Sequence, residues 1–146
     1  MSAEANIALV RQWVEQVWND GNLDLLGHFH PHTFDNHGQP SNLEEARQWH
    51  LRNRATFPDV HYTIDDIFAT EAQVAMRWTA TATHEGSLWG MIPPTGKHLS
   101  WNGMHQLRIA DQQIVEVWAI ANTIAQLQQM GVTLQPPEVS TDDRNL

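Results

Sequence analysis

Between Val60 and Ala121 the chain carries four β-rich runs, 60–68, 73–84, 97–109 and 113–121, in which apolar and polar residues tend to alternate. Alternation with a period of two places successive side chains on opposite faces of an extended strand. The Val, Ile, Thr and aromatic content of the runs suits a half-buried sheet. Turn signals separate them: Thr70-Glu71, the segment from Gly86 to Gly96 with its Pro93-Pro94-Thr95-Gly96, and Asp111-Gln112. The four runs therefore predict an antiparallel meander.

The residues before the meander have helical spacing instead. From Asn6 to Asn19 the apolar positions Ile7, Val10, Val14, Val17 and Trp18 fall on one side of a helix, and Gly21 supplies a stop. Leu23, Leu25 and Leu26 make a short second helix or turn, which Pro31 breaks. Thr33 to His37 is expected as a short edge strand. Ser41 and Glu44 have the spacing of a capping box, opening a helix that must end at about Phe57 because Pro58 disfavours helical geometry before it. After the meander, Ile124 to Met130 predicts a last helix, with Asn122 or Thr123 as its N-cap and Gly131 as its end. Helices followed by a run of antiparallel strands define an α+β domain in which helices cover one face of a curved sheet. The domain is expected over residues 1–131, and 132–146, with Pro136-Pro137 and an acidic end, as an arm or disordered tail.

Composition narrows the chemistry. A chain of 146 residues supports one hydrophobic core. Cysteine is absent, which removes disulfides, thiolate nucleophiles and thiolate-bound metals. With 17 acidic against 8 basic residues the net charge is -9, and no Lys/Arg stripe exists, so no nucleic-acid partner is expected. The segment Met1 to Asn6 lacks the basic start and apolar run of a signal peptide, and no stretch approaches a membrane span; this predicts a cytoplasmic protein with no membrane partner. Seven tryptophans suit an aromatic-lined pocket or a subunit interface.

Thr83-His84-Glu85-Gly86 followed by Gly90-Met91-Ile92-Pro93-Pro94-Thr95-Gly96-Lys97, then Ile114-Val115-Glu116-Val117-Trp118, then Gln128-Gln129-Met130-Gly131 resemble, in this order, the hairpin, strand and helix-end motifs of the SnoaL-like polyketide cyclases of the nuclear transport factor 2-like superfamily. Asp35-Asn36-His37-Gly38 falls where that family places a polar strand at its pocket. The resemblance implies a cone-shaped half barrel with the N-terminal helices over its concave face, an interior pocket for a small apolar or aromatic ligand, a homodimer through the outer sheet, and ring-closing acid/base chemistry without a cofactor.

It also implies a catalytic Asp four residues after the strand Trp, where this chain has Asn122. An amide cannot exchange a proton at neutral pH and can only donate or accept hydrogen bonds. Asn122 is thus a candidate for holding a substrate oxygen, or simply a helix cap. His105 is the candidate general base, on a strand face shared with Trp101. Asp35 and His37, two apart on a strand, would share a face and form a carboxylate–imidazole pair. Trp118, Trp101, Trp78, Trp89 and His84 are candidate substrate-binding residues, Trp118 as a flat wall in phase with Ile114, Glu116 and Ile120, and Trp89 as part of a lid. His28, His30, His32 and His37 are dense, but Pro31 interrupts them and no metal is expected. The function expected is a cofactor-independent cyclase or isomerase acting on a ring-containing ketone or ester. The alternatives are a ligand-binding protein of the same fold, which Asn122 favours, and a partner-protein module.

Overall fold

The computed structural model describes residues 1–138, so the end of the expected tail, 139–146, lies outside the described residues. Helix α1 (Ala3–Trp13) is capped by Ser2, whose hydroxyl accepts from the Ala5 N–H at 3.1 Å. It continues directly as a π-helical turn, Val14–Asn19, with the Asp20 N–H donating to the Glu15 carbonyl at 2.9 Å. Bonding between residues five apart stacks residues five apart. Trp13 and Trp18, which an α-helix would splay, thereby turn the same way, and both are buried with Val14 and Val17. A 3₁₀ turn (Leu23–Leu25) and helix α2 (Leu26–Phe29) follow.

The end of the π turn is fastened on two sides. The Asn19 side chain accepts from the Tyr62 N–H at 2.7 Å and donates to the Tyr62 carbonyl at 2.9 Å, so its amide continues the edge of the sheet. Arg54 donates to the carbonyls of Trp18 and Asn19 at 2.8 and 2.5 Å. Asn19→Ala leaves both Tyr62 backbone groups without these partners, and the expected loss in urea denaturation is about 2 kcal/mol. A change below about 0.5 kcal/mol, the range of an unremarkable surface substitution, would show that water replaces the amide fully.

Strands β1 (Thr33–Asn36), β2 (Gln39–Asn42), β3 (His61–Ala69), β4 (Gln73–Thr83), β5 (His98–Ala110) and β6 (Gln113–Ala121) form one sheet in the order β2-β1-β6-β5-β4-β3. The meander β3 to β6 is as the alternation predicts. The 33–37 segment differs: it ends at Asn36, pairs in parallel with β6, and is shielded from the edge by β2. The cap of helix α3 (Leu43–Thr56) also differs. Asn42 accepts from the Glu45 N–H at 2.9 Å, while Ser41 lies in β2 and its hydroxyl donates to the Glu45 carboxylate at 2.8 Å. Helix α4 (Thr123–Gln129) is capped by Asn122, which accepts from the Ala125 N–H at 3.2 Å.

The sheet is curved and unclosed, with helices over one face. That covered face carries Val74, Met76, Trp78, Ala80 and Ala82 of β4 and Leu99, Trp101, Leu107 and Ile109 of β5, all buried. The other face is open and displays Phe68, Met104, Trp118 and Ile120. On β6 the pairing skips a residue: Arg108 faces Glu116 but Ile109 faces Ile114. One extra residue reverses the alternation. Ile114 is consequently buried under the helices, whereas Glu116, Trp118 and Ile120 point to the open face, not to one side with it.

The motif residues at 83–97 and 129 are explained by clamps. His84 is fully buried, its Nδ1 3.0 Å from the Thr95 hydroxyl and accepting from the Thr95 N–H at 3.3 Å. The N–H groups of Glu85 and Gly86 donate to the Thr56 carbonyl at 3.1 and 3.0 Å, tying the β4–β5 connection to the end of α3. Gln129 donates to the Ser100 carbonyl at 2.7 Å and accepts its N–H at 2.8 Å, pairing with β5 as a strand residue would.

Candidate active site

Trp13, Trp18, Trp78 and His105 meet under the helices. The His105 ring lies 4.9 Å from Trp18, 6.0 Å from Trp78 and 6.1 Å from Trp13, centroid to centroid. Tyr62 closes the group, 4.8 Å from Trp18 and 5.2 Å from Trp78. Three elements build this aromatic cluster: the π turn brings Trp13 and Trp18 together, β4 offers Trp78, and β5 offers His105. Gly103, two residues before His105, leaves space for the Trp78 indole; a Cβ there would stand 2.3 Å from it.

Hydrogen bonds fix how these groups present themselves. The Trp78 indole N–H donates to Nδ1 of His105 at 2.9 Å. A nitrogen that accepts carries no proton, so neutral His105 holds its proton on Nε2. That nitrogen has no protein partner among the described residues and is not sealed from solvent. Burial pushes the His105 pKa down to about 3, with the charge of His37 a lesser cause, and keeps the ring neutral. The indole N–H groups of Trp13 and Trp18 are buried and unpartnered.

On the far side of Trp13, at 5.4 Å, lies His30, stacked on Phe34 at 4.4 Å. Its Nδ1 donates to the Ile114 carbonyl at 3.0 Å, which leaves its Nε2 as a lone pair. Burial lowers the His30 pKa to about 4; it lowers that of His50 on α3 to about 4 as well, aided by His30 and Arg54. His105 and His30 are therefore neutral imidazoles of opposite tautomer, one a donor and the other an acceptor.

His105, His37, Trp118 and Asn122 line one groove of about 1060 Å³, together with Phe68, Met104 and Ile120 of the open face. Asp35 is elsewhere: its carboxylate accepts from the Gly38 N–H at 2.7 Å and closes the β1–β2 turn. His37 sits in that turn at φ 56°, off the strand, so the two do not share a face. Its Nδ1 is 2.5 Å from the Asn36 side-chain oxygen, and its Nε2 is 3.0 Å from both the N and the O of Ala119, extending β1 beside β6. Trp118 packs over Gly38 and His37 on the open face and donates to Glu116 at 2.7 Å; Glu116 is also paired with Arg108. Those two bonds hold the Glu116 carboxyl below its ordinary range.

The other sequence candidates are dispersed. Trp101 is buried against Phe57 at 5.1 Å, His84 is a clamp residue, and Trp89 is exposed at φ 56° in the 86–96 loop. His30 and His37 hold different carbonyls, and among the described residues no three metal-ligating side chains are grouped. Sequence spacing did not reveal this cluster, because only the π turn brings Trp13 and Trp18 to His105, and only the bond of His30 to Ile114 sets it behind Trp13.

A family model for SnoaL-like polyketide cyclases matches residues 8–130. No curated protein matches the chain. Among solved structures, AclR of Streptomyces galilaeus, a candidate hydroxylase, is 30% identical with a TM-score of 0.77, over 89% of this chain and 98% of its own. IdmH of Streptomyces antibioticus, a candidate polyketide cyclase, is 28% identical with a TM-score of 0.77, over 87% of this chain and 99% of its own. A SnoaL-like protein from Jannaschia sp. CCS1 is 18% identical with a TM-score of 0.80, over 92% of this chain and 95% of its own, and shares the fold. No helix among the described residues is long and apolar enough to cross a membrane. The extent of the family match, over a fold of helices on a curved six-stranded sheet, identifies the chain as a member of the SnoaL-like polyketide cyclase family.

Proposed function

We propose that the protein is a cofactor-independent enzyme of proton transfer next to a carbonyl, a cyclase or isomerase acting on a small, ring-containing apolar ketone or ester. The observation that carries this reading is His105: a neutral imidazole with an unused Nε2, set among three tryptophans that offer flat apolar walls. A carbonyl held at Nε2 is polarised and its neighbouring carbon made more acidic. The proton leaving that carbon is taken by the Nε2 lone pair of His30, which stands behind Trp13. The 28% identity to IdmH, a candidate polyketide cyclase, supports the substrate class.

The test is deuterium exchange at the carbon next to the carbonyl of 1-tetralone, followed by NMR. His105→Leu is expected to reduce the protein-dependent rate by about 100-fold, the contribution of one donor to a developing oxyanion. Exchange no faster than in buffer with the native protein, combined with binding of the ketone, would favour the second reading, a non-catalytic binding protein. That reading draws on Asn122, whose side-chain oxygen caps α4, so no carboxylate occupies the position where the resemblance implies one.

We also propose that the open face pairs with a second copy. Phe68, Met104 and Ile120 are 66%, 60% and 82% exposed on it, which is unusual for neighbouring large apolar side chains. Ile120→Arg is expected to shift sedimentation from dimer to monomer; a native protein that sediments as a monomer would refute the pairing.

A further inference from the structure

The aromatic cluster is rich in donors. Besides Nε2–H of His105, the rings that flank it carry the Trp13 and Trp18 indole N–H groups, both buried and unpartnered, on side chains 4% and 6% exposed. Such groups are costly to leave unpaired and seek an acceptor. Trp78 decides which edge His105 shows, since its N–H takes Nδ1. Without that bond the ring would be free to turn its lone pair toward a ligand.

We infer that Trp78 is a positioning residue that locks His105 as a neutral Nε2–H donor, and that the ligand is held through an acceptor oxygen, a carbonyl or the enolate or phenolate derived from it. His105 then works by withdrawing electron density from the oxygen and not by taking a proton from carbon. The ring of Trp78 is itself held by close packing on Gly103 and by Tyr62. This inference rests on the ligand site proposed above and deepens it, by naming the atom the ligand must present and the residue that sets the choice.

Long-range proton–nitrogen NMR on the full chain with labelled histidine reads the tautomer directly and needs no ligand. His105 is expected to show a protonated Nε2 and a bare Nδ1 at pH 7, and Trp78→Phe to release it to a mixture. Binding is compared with three probes of one ring skeleton: 1-tetralone, tetralin and 2-aminotetralin. The ketone is expected to bind about tenfold tighter than tetralin, as one hydrogen bond allows, and the ammonium compound weakest. His105→Gln, whose amide can accept from Trp78 and donate to the ketone, is expected to keep that preference, and His105→Leu to lose it. A proton found on Nδ1 of the native protein, or equal binding of tetralone and tetralin, overturns the inference. Failure of all three probes to bind, with Nε2 protonated, would confirm the tautomer lock and count against the proposed ligand site instead.

Discussion

Acidification from pH 7 to about 4 is expected to unfold the protein, because burial holds the pKa of His30 and of His50 down to about 4. In the unfolded chain these imidazoles take up protons near pH 6.5, whereas in the folded chain they resist until about pH 4. Between those limits the unfolded state binds more protons, so stability falls as pH falls; above about pH 7 neither state is protonated and stability is level. One pKa unit is worth about 1.4 kcal/mol, which makes each group responsible for about 3 kcal/mol by pH 4. His105, only half-buried, adds to this in the same direction. The sum is comparable to the whole stability of an ordinary domain, about 5–15 kcal/mol. Urea denaturation at pH 7, 6, 5 and 4 measures it directly. His50→Gln is expected to flatten the slope below pH 6, and an unchanged midpoint down to pH 4.5 would mean that these rings protonate without unfolding.

Gly86→Ala is the second large effect. A Cβ at this position would stand 2.1 Å from the Ala55 carbonyl oxygen and 2.9 Å from Thr56 Cα, which are backbone atoms of α3 and cannot step aside as a side-chain tip can. Relief requires the β4–β5 connection to lift from the helix end, losing the two N–H bonds of Glu85 and Gly86 to Thr56. The expected destabilisation is at least about 3 kcal/mol, the upper range for overpacking with broken hydrogen bonds. Thermal denaturation reads it, and a melting point within a degree or two of the native protein would show that the connection lifts from α3 at little cost.

The meander was legible in the sequence because its strands have one covered and one open face, which leaves a period of two in Val74, Met76, Trp78, Ala80 and Ala82. The caps were legible less sharply. Asn122 was one of two choices, and the cap of α3 fell one residue after Ser41, since Ser and Asn satisfy the same N–H groups and only the path of β2 decides between them. Two backbone irregularities carried no pattern of their own. The extra residue on β6 moved Trp118 to the open face, opposite the face on which Trp13, Trp18 and Trp78 gather, and the turn at His37 separated it from Asp35. The π turn did the opposite, gathering Trp13 and Trp18 beside His105 from a spacing that looks unremarkable in an amphipathic helix. His105 itself was legible as a lone histidine on an apolar face, but its hydrogen-bonding edge was not, because that depends on Trp78 across the sheet.

The His84–Thr95 clamp carries a consequence for how kinship and chemistry are related in this protein. His105 pairs in register with Met76, and His84 lies eight residues further on, just past the end of the same strand, roughly 26 Å away at the rise of a β-strand. The hairpin part of the family motif thus stands far along the sheet from His105, whereas the Ile114–Trp118 part lies on the strand next to it. A change of side chain at His105 would therefore leave the hairpin clamp as it is, so the hairpin marks the fold whatever chemistry the cluster supports.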